Sequence, residues 1–203
     1  MVGGGGGARF GSLKQFEPLG SQRVIDWACR VAELACDGVV VVVPAGYANE
    51  ERAVVGGTTR SDSVRCGLAE VPHDVDVVCV HDAARPFATV ELFERVITAV
   101  TEGADAAVPG LPVADTIKEI DADGVVVATP NRDRLVAVQT PQAFSAVALR
   151  AAHARIGDGS DDAALVEAAG GRVVVVPGER LNRKVTLPDD LDWARNVVAG
   201  VTL

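Results

Sequence analysis

Long apolar runs and an excess of basic residues are both missing from this chain of 203 residues. Its apolar runs, such as 39–43 and 173–176, are far shorter than the roughly 18 residues that a membrane-spanning helix needs. The 19 Lys and Arg residues are outnumbered by 28 Asp and Glu residues, so the net charge is −9. We therefore expect no membrane and no nucleic acid among its partners, whereas anionic small substrates respond to local charge and are not excluded.

A secretory signal and a cysteine framework are also not evident. No basic region followed by an apolar one stands at the N-terminus. The four cysteines (Cys29, Cys36, Cys66, Cys79) have no CxxC spacing and lie in apolar or helical stretches, which is typical of reduced, buried thiols. These features predict a cytoplasmic protein. A composition of 48% hydrophobic and 23% charged residues is typical of a folded chain, and the length favours one domain spanning 1–203.

Strand-like and helix-like segments alternate along most of the chain. Short apolar runs predict strands at 39–43, 75–80, 104–108, 135–138 and 172–176. Helical patterns lie between them, at 24–35, 61–69, 90–102, 145–155 and 161–169, and a last helix is predicted from Pro188. This alternation predicts an α/β fold with a Rossmann-like, mostly parallel sheet flanked by helices.

The segment 112–132 breaks this alternation. Its stretches 115–120 and 124–128 flank Asp121-Ala122-Asp123-Gly124, whose Asp-Gly step favours a hairpin turn. Because a lone hairpin with exposed edges is unstable, we expect a protruding arm that pairs with another subunit. The alternative is a simple edge hairpin that folds on its own domain.

A run of five glycines, Gly3 to Gly7, is the first candidate for ligand binding. Glycines let backbone N–H groups approach phosphate oxygens, and Arg9 and Lys14 add two cations close behind. A disordered leader or linker would have the same composition. A phosphate-binding loop normally follows a strand, yet only Met1 and Val2 precede this one. The expectation is that the chain starts upstream of Met1; the alternative is a sheet that tolerates a missing first strand.

A second glycine turn, at 56–57, opens a predicted helix. Ser61 and Asp62 are its candidate N-cap residues, which leaves Arg60 and Ser63 free to serve a ligand or to have no such role.

The sequence His81-Asp82-Ala83-Ala84-Arg85-Pro86 directly follows a predicted strand. A carboxylate at the carboxyl end of a parallel strand faces the crevice where such sheets bind ligands. Asp82 is therefore a candidate ligand for Mg²⁺, and Arg85 is placed to bind an anion. A purely structural salt bridge between them is the alternative.

In order along the chain, GGxxRxxSV, HDAARP, DT, TPQ and NRKVT resemble the motifs of the 2-C-methyl-D-erythritol 4-phosphate cytidylyltransferase family. The resemblance runs from about Gly3 to Leu191. It implies a fold of the nucleotidyltransferase type, a homodimer, Mg²⁺, and transfer of CMP from CTP to methylerythritol phosphate, with release of pyrophosphate, in the non-mevalonate isoprenoid pathway. The alternatives are a cytidylyltransferase for ribitol 5-phosphate or another polyol phosphate, and a non-catalytic nucleotide-binding homologue.

The resemblance also implies a role for each matching residue. Residues that would wrap the CTP phosphates are Gly3, Gly4, Gly5 and Gly7. Catalytic cations would be Arg9 and Lys14. Recognition of the cytosine would fall to Gly57, Thr58 and Ser63. The metal ligand would be Asp82, beside a nucleotide contact at Ala83. Acceptor contacts would be Arg85, Thr116, Arg132, Thr140 and Lys184, with Thr116 and Arg132 coming from the arm of the other subunit.

Two departures from the family pattern bear on these roles. The spacing between Arg9 and Lys14 is two residues shorter than is usual, and Leu181 stands where the family often has an aspartate. A magnesium ion would then be held by Asp82 and phosphate oxygens alone, since Mg²⁺ keeps several of its waters.

Overall fold

The computed structural model describes residues 1–4, 10–155 and 159–200. Its strands are β1 (Pro18–Leu19), β2 (Gln22–Arg23), β3 (Val42–Val43), β4 (Val54–Val55), β5 (Val77–Val80), β6 (Ala106–Pro112), β7 (Glu119–Ile120), β8 (Val126–Ala128), β9 (Val136–Val138), β10 (Gln142–Ser145) and β11 (Val173–Pro177). Its α-helices are α1 (Val24–Ala35), α2 (Ala48–Glu51), α3 (Arg60–Ala69), α4 (Val90–Thr101), α5 (Ala146–Ala154), α6 (Asp162–Ala168) and α7 (Pro188–Val198).

The α/β fold is confirmed, but the central sheet is mixed rather than mostly parallel. Strand β11 lies parallel to β6, while β10 runs antiparallel between β6 and β5. Strand β9 adds to the far end of β6 in antiparallel pairing. Strands β3 and β4 pair in parallel, and Val2 bridges both Val42 and Asp82 in the parallel sense.

Strand β10 was not among the predicted strands. Its sequence, Gln142-Ala143-Phe144-Ser145, has neither a β-branched run nor a polar and apolar alternation, and its first three residues are all buried. It is a strand because it lies between β5 and β6, which supply hydrogen-bonding partners on both edges. Tertiary pairing of this kind overrides local propensity.

The residues that precede the glycine loop lie within the sheet. The N–H of Val2 donates to the carbonyl of His81 (2.7 Å), and the N–H of Gly3 donates to that of Val42 (2.7 Å). Met1 to Gly3 thus lie between the chain at β3 and the chain that follows β5. A cavity of about 860 Å³ adjoins Met1, and its lining includes Val39, Val40, Val42 and Val78.

Helices cover both faces of the sheet. On one face, α1 and α4 enclose a cluster that includes Ile25, Val43 and Phe93. On the other face, α3, α5 and α6 pack around Phe144 and Leu149. Among the residues that the structure describes, no helix has both the length and the apolar character needed to cross a membrane.

The predicted hairpin segment has a small sheet of its own. Strand β7 pairs antiparallel with β8, with a register shift between Glu119 and Ile120. The side chains of Ile120, Val126 and Val127 are all more than half exposed. This chain alone therefore leaves an apolar surface on the hairpin in contact with solvent.

The unpredicted strand β10 generates a stability prediction. Phe144 is fully buried, so we expect Phe144→Ala to lower the free energy of unfolding by about 3–5 kcal/mol. Val147, three residues later and 79% exposed, is the matched control, with an expected change below about 0.5 kcal/mol for Val147→Ala. Urea denaturation measures both, and equal effects would contradict the buried placement of β10.

Candidate active site

Asp82 lies just beyond the carboxyl end of β5 and is only 7% exposed. Its N–H donates to the hydroxyl of Thr140 (3.0 Å), and that hydroxyl also contacts Nδ1 of His81 (3.0 Å). Burial lowers the pKa of His81 to about 4, so this imidazole is neutral near pH 7. Its other nitrogen lies 3.2 Å from the carbonyl of Arg85. Thr140 and His81 thus fix the backbone that presents the Asp82 carboxylate.

Three cations surround this carboxylate. Nζ of Lys184 lies 2.6 Å from Oδ2, Nε of Arg85 lies 3.8 Å from Oδ2, and Nε of Arg60 lies 3.7 Å from Oδ1. Burial alone would raise the pKa of Asp82, but the charges of Lys184, Arg60 and Arg85 together lower it to about 2. The carboxylate is therefore ionised near neutral pH, and the cations in contact with it outnumber it.

Arg85 and Lys184 come from different segments that are fastened to each other. Nη1 of Arg85 donates to the carbonyl of Asn182 (2.8 Å), and the N–H of Val185 donates to the carbonyl of Ala84 (2.8 Å). Arg85 is buried, and this burial lowers its pKa from the usual arginine range. The two segments therefore reach Asp82 as one unit.

Arg60, the first residue of α3, links Asp82 to a second acidic residue. Its Nη1 donates to Oδ2 of Asp162 (2.6 Å), and the other oxygen of Asp162 lies 3.0 Å from Nε2 of His153. Asp162 is fully buried in the first turn of α6. The sequence gives no sign that Arg60 pairs with residue 162, because only the tertiary fold brings the two together.

The N-terminus of α3 differs from the prediction in its cap. Thr59, rather than Ser61 or Asp62, is the N-cap, because the helix begins at Arg60. The N–H of Asp62 donates to the Thr59 hydroxyl (3.0 Å), and the N–H of Thr59 donates back to the Asp62 carboxylate (3.1 Å). The exposed hydroxyl of Thr58 also donates to this carboxylate (2.9 Å). Asp62 therefore belongs to a capping box.

The two glycine-containing segments, at 3–4 and 56–57, lie close to each other beside Ser63. A Cβ at Gly4 would lie 2.7 Å from the Ser63 Oγ, and a Cβ at Gly57 would collide with the side chain of Asp62. A Cβ at Gly3 would press on both Ala83 and the Val42 carbonyl at 3.2 Å. Glycine at these positions therefore lets three chain segments approach one another.

Of the two predicted catalytic cations, the structure describes Lys14 and not Arg9. Arg9, with Gly5 and Gly7, lies outside the described residues. Lys14 is half-buried and begins a short 3₁₀ turn. Burial alone would raise the pKa of Asp190, but backbone N–H groups and the charges of Arg183 and Lys14 lower it. Because Asp190 is in the first turn of α7, Lys14 lies near that turn. Next to Lys14, the buried Gln15 donates to the carbonyl of Gly3 (2.7 Å) and so holds the start of the glycine loop.

Thr116 and Arg132 belong to the hairpin segment and are exposed. Nη1 of Arg132 donates to the carbonyl of Ala114 (2.8 Å), within that segment. The structure therefore gathers Arg85, Thr140 and Lys184 around Asp82, while Thr116 and Arg132 stay with the hairpin.

The Asp82 carboxylate could bind Mg²⁺ as a single protein ligand. Oδ1 lies 3.7 Å from Nε of Arg60, which is longer than a hydrogen bond, so this oxygen can still coordinate a cation. Within 1–4, 10–155 and 159–200, no group of three or more His, Cys, Asp or Glu residues is placed to hold a metal by itself. A hard cation at Asp82 would therefore need ligands from substrate phosphate and water, as Mg²⁺ commonly has.

The similar proteins carry two recurring names. A protein of Nocardia farcinica named 2-C-methyl-D-erythritol 4-phosphate cytidylyltransferase is 42% identical over 96% of this chain and 90% of the relative. A bifunctional enzyme IspD/IspF of Nitratidesulfovibrio vulgaris is 45% identical over 88% of this chain, and the match spans 51% of that relative. The chain thus spans about half the length of the bifunctional relatives it matches.

Solved structures agree with these relatives. The 4-diphosphocytidyl-2C-methyl-D-erythritol synthase of Anaerococcus prevotii is similar with a TM-score of 0.85 at 28% identity, covering 98% of this chain and 95% of the other. The 2-C-methyl-D-erythritol 4-phosphate cytidylyltransferase of Thermus thermophilus gives 0.80 at 33% identity, with 95% and 96% covered. The family described as "IspD: 2-C-methyl-D-erythritol 4-phosphate cytidylyltransferase" matches residues 1–199, and the chain belongs to that family.

Proposed function

We propose that this chain transfers CMP from CTP to 2-C-methyl-D-erythritol 4-phosphate and releases pyrophosphate. A phosphate oxygen of the acceptor attacks the α-phosphorus of CTP, a new P–O bond forms, and the bond from that phosphorus to the pyrophosphate oxygen breaks. The acceptor phosphate is already largely anionic near neutral pH, so no strong general base is needed. The protein must instead hold two mutually repelling anions together.

The single observation that carries this proposal is the ring of Arg60, Arg85 and Lys184 around Asp82. It places three cations at the carboxyl end of β5, of which Arg60 is shared with the buried Asp162, inside a protein whose net charge is −9. Such preorganised cations stabilise phosphate charge without rearranging during the reaction. The family membership supports the same chemistry.

We infer that the nucleotide lies on the glycine side of this cluster. A Cβ at Gly4 would collide with Ser63 and one at Gly57 with Asp62, so glycine keeps the backbone bare where phosphate and cytosine would approach. Gly5, Gly7, Arg9 and Lys14 would extend that cradle toward the leaving pyrophosphate. Arg85, Thr140 and Lys184 would then face the acceptor phosphate.

We further propose that Mg²⁺, when bound, is held by Asp82 together with phosphate oxygens, and that it neutralises charge on CTP. Because the pKa of Asp82 is about 2, the carboxylate is available as a ligand throughout the neutral range. Leu181 offers no ligand atom in its side chain, so Asp82 would be the main protein contribution.

The hairpin supports a proposal about assembly. Its exposed Ile120, Val126 and Val127 would be buried by a second copy of this chain, whose arm would bring Thr116 and Arg132 to the acceptor. We infer a homodimer on this basis. The four cysteines are free, as is usual in the reducing cytoplasm, where we place the enzyme.

Pyrophosphate release tests the proposed reaction. With CTP and Mg²⁺, we expect release on adding methylerythritol 4-phosphate and none with ribitol 5-phosphate. Lys14→Ala and Arg9→Ala should each slow this release by about 10²–10³-fold, since each removes a cation that stabilises developing phosphate charge. Arg30→Ala, which removes an exposed cation from α1, is the matched control and should leave the rate unchanged. Release with ribitol phosphate alone would keep the chemistry and change the acceptor, and release with neither would refute the proposal.

A mixing experiment tests the arm. Arg132→Ala and Lys184→Ala are each expected to be inactive alone. If Arg132 serves the partner's site, mixed dimers contain one intact site, so re-equilibrating the two variants in equal amounts should restore about a quarter of the wild-type rate. Activity that stays at the level of the single variants would show that each arm serves its own subunit or none.

A further inference from the structure

Two buried amides, Gln139 and Asn182, meet next to the Asp82 cluster. Gln139 is 5% exposed at the end of β9, and Asn182 is 0% exposed in the loop between β11 and α7. Nδ2 of Asn182 lies 3.4 Å from Oε1 of Gln139. Neither residue belongs to the set that the sequence assigned to the site.

Gln139 forms hydrogen bonds to the loop that leads to Lys184. Its Nε2 donates to the carbonyl of Glu179 (2.9 Å), while its Oε1 accepts the N–H of the same residue (3.0 Å). Nε2 also donates to the carbonyl of Asn182 (3.2 Å). One side chain therefore holds the turn 179–182 at both ends, in the way that a neighbouring strand would.

Asn182 connects the same turn to two groups at Asp82. Its main-chain carbonyl accepts from Nη1 of Arg85 (2.8 Å), and its side-chain Nδ2 donates to the carbonyl of Thr140 (2.8 Å). Lys184 follows two residues later and reaches Oδ2 of Asp82 at 2.6 Å. Gln139 and Asn182 thus form a junction that links Arg85, Thr140 and the turn before Lys184.

The position of Lys184 depends on such tethers. Residues 178–186 contain no helix or strand, and the Lys184 side chain is 35% exposed. A lysine is a point charge on a flexible stem, so its direction is set by where its backbone is held. A displacement of about 1 Å in a reacting group can cost on the order of 10²-fold in rate.

We propose that Gln139 and Asn182 are positioning residues that act through Lys184 and Arg85 to place the acceptor phosphate. This inference rests on the proposed cytidylyl transfer. It assigns the pair to the acceptor half of the site only, because their hydrogen bonds reach Thr140, Arg85 and the turn before Lys184 and not the glycine side. A merely structural role would lower stability without distinguishing between the two substrates.

The test variant is Gln139→Met, which keeps the approximate volume and removes the amide. We expect kcat/KM for methylerythritol 4-phosphate to fall about 10–100-fold and KM for CTP to change less than about threefold. Asn182→Ala is the second variant; it keeps the main-chain carbonyl that Arg85 donates to but removes the Nδ2 contacts to Thr140 and Gln139, and we expect the same pattern. Since the two residues act as one junction, the double variant should lose little more than the worse single variant.

Arg150→Met is the matched control. Arg150 donates to the carbonyls of Leu68, Val71 and Pro72, at and just beyond the C-terminal end of α3, so its loss also breaks long-range hydrogen bonds, two of them partly buried. It should lower the unfolding temperature and leave both kinetic constants unchanged. Equal losses for both substrates in Gln139→Met, or wild-type kinetics with reduced stability, would overturn the positioning role.

A binding measurement separates this inference from the proposed function. If the wild type releases no pyrophosphate with any polyol phosphate, the proposed function fails, and calorimetry with inorganic phosphate still tests the junction. Gln139→Met should then bind phosphate at least about tenfold more weakly than Arg150→Met, because Lys184 and Arg85 are misplaced. Equal binding by the two variants would refute the inference.

Discussion

The carboxylate of Asp82 is ionised and almost wholly removed from water, and its nearest groups are Lys184, Arg60 and Arg85. An uncompensated buried charge costs several kcal/mol, so this position is compatible with folding only when cations are brought to it. The three cations come from segments more than 20 residues apart. The fold therefore has to converge at Asp82, and the same convergence creates the proposed anion-binding site.

Each cation is in turn held by groups that do not touch Asp82. Arg60 is paired with the buried Asp162, Arg85 is bound by the carbonyl of Asn182, and Lys184 follows the turn that Gln139 grips. The result is a shell of uncharged amides and one buried acid behind the cationic ring. Positions fixed in this way would need no rearrangement on binding the proposed substrates, which is the property that phosphoryl-type transfer requires of a protein.

Much of the fold follows from local sequence patterns. Helix α1 begins and ends at the predicted residues 24 and 35, and α4 ends one residue early, because amphipathic periodicity and polar ends define these helices. Strand β10 and the mixed sheet do not follow from local patterns. Residues 142–145 form a strand because β5 and β6 pair with them on both sides. The same limit applies to the site. Asp82 and Arg85 stand out because they follow a predicted strand, whereas the pairing of Arg60 with Asp162 and of Gln139 with Asn182 depends on contacts between distant segments.

The central claim is that the charge of Asp82 organises this site, and Asp82→Asn tests it most directly. The substitution keeps the size of the side chain and removes the charge that holds the three cations. The rate of pyrophosphate release from CTP and methylerythritol 4-phosphate, compared with wild type, should fall by at least about 100-fold. A variant that retains a rate near that of the wild type would contradict the account.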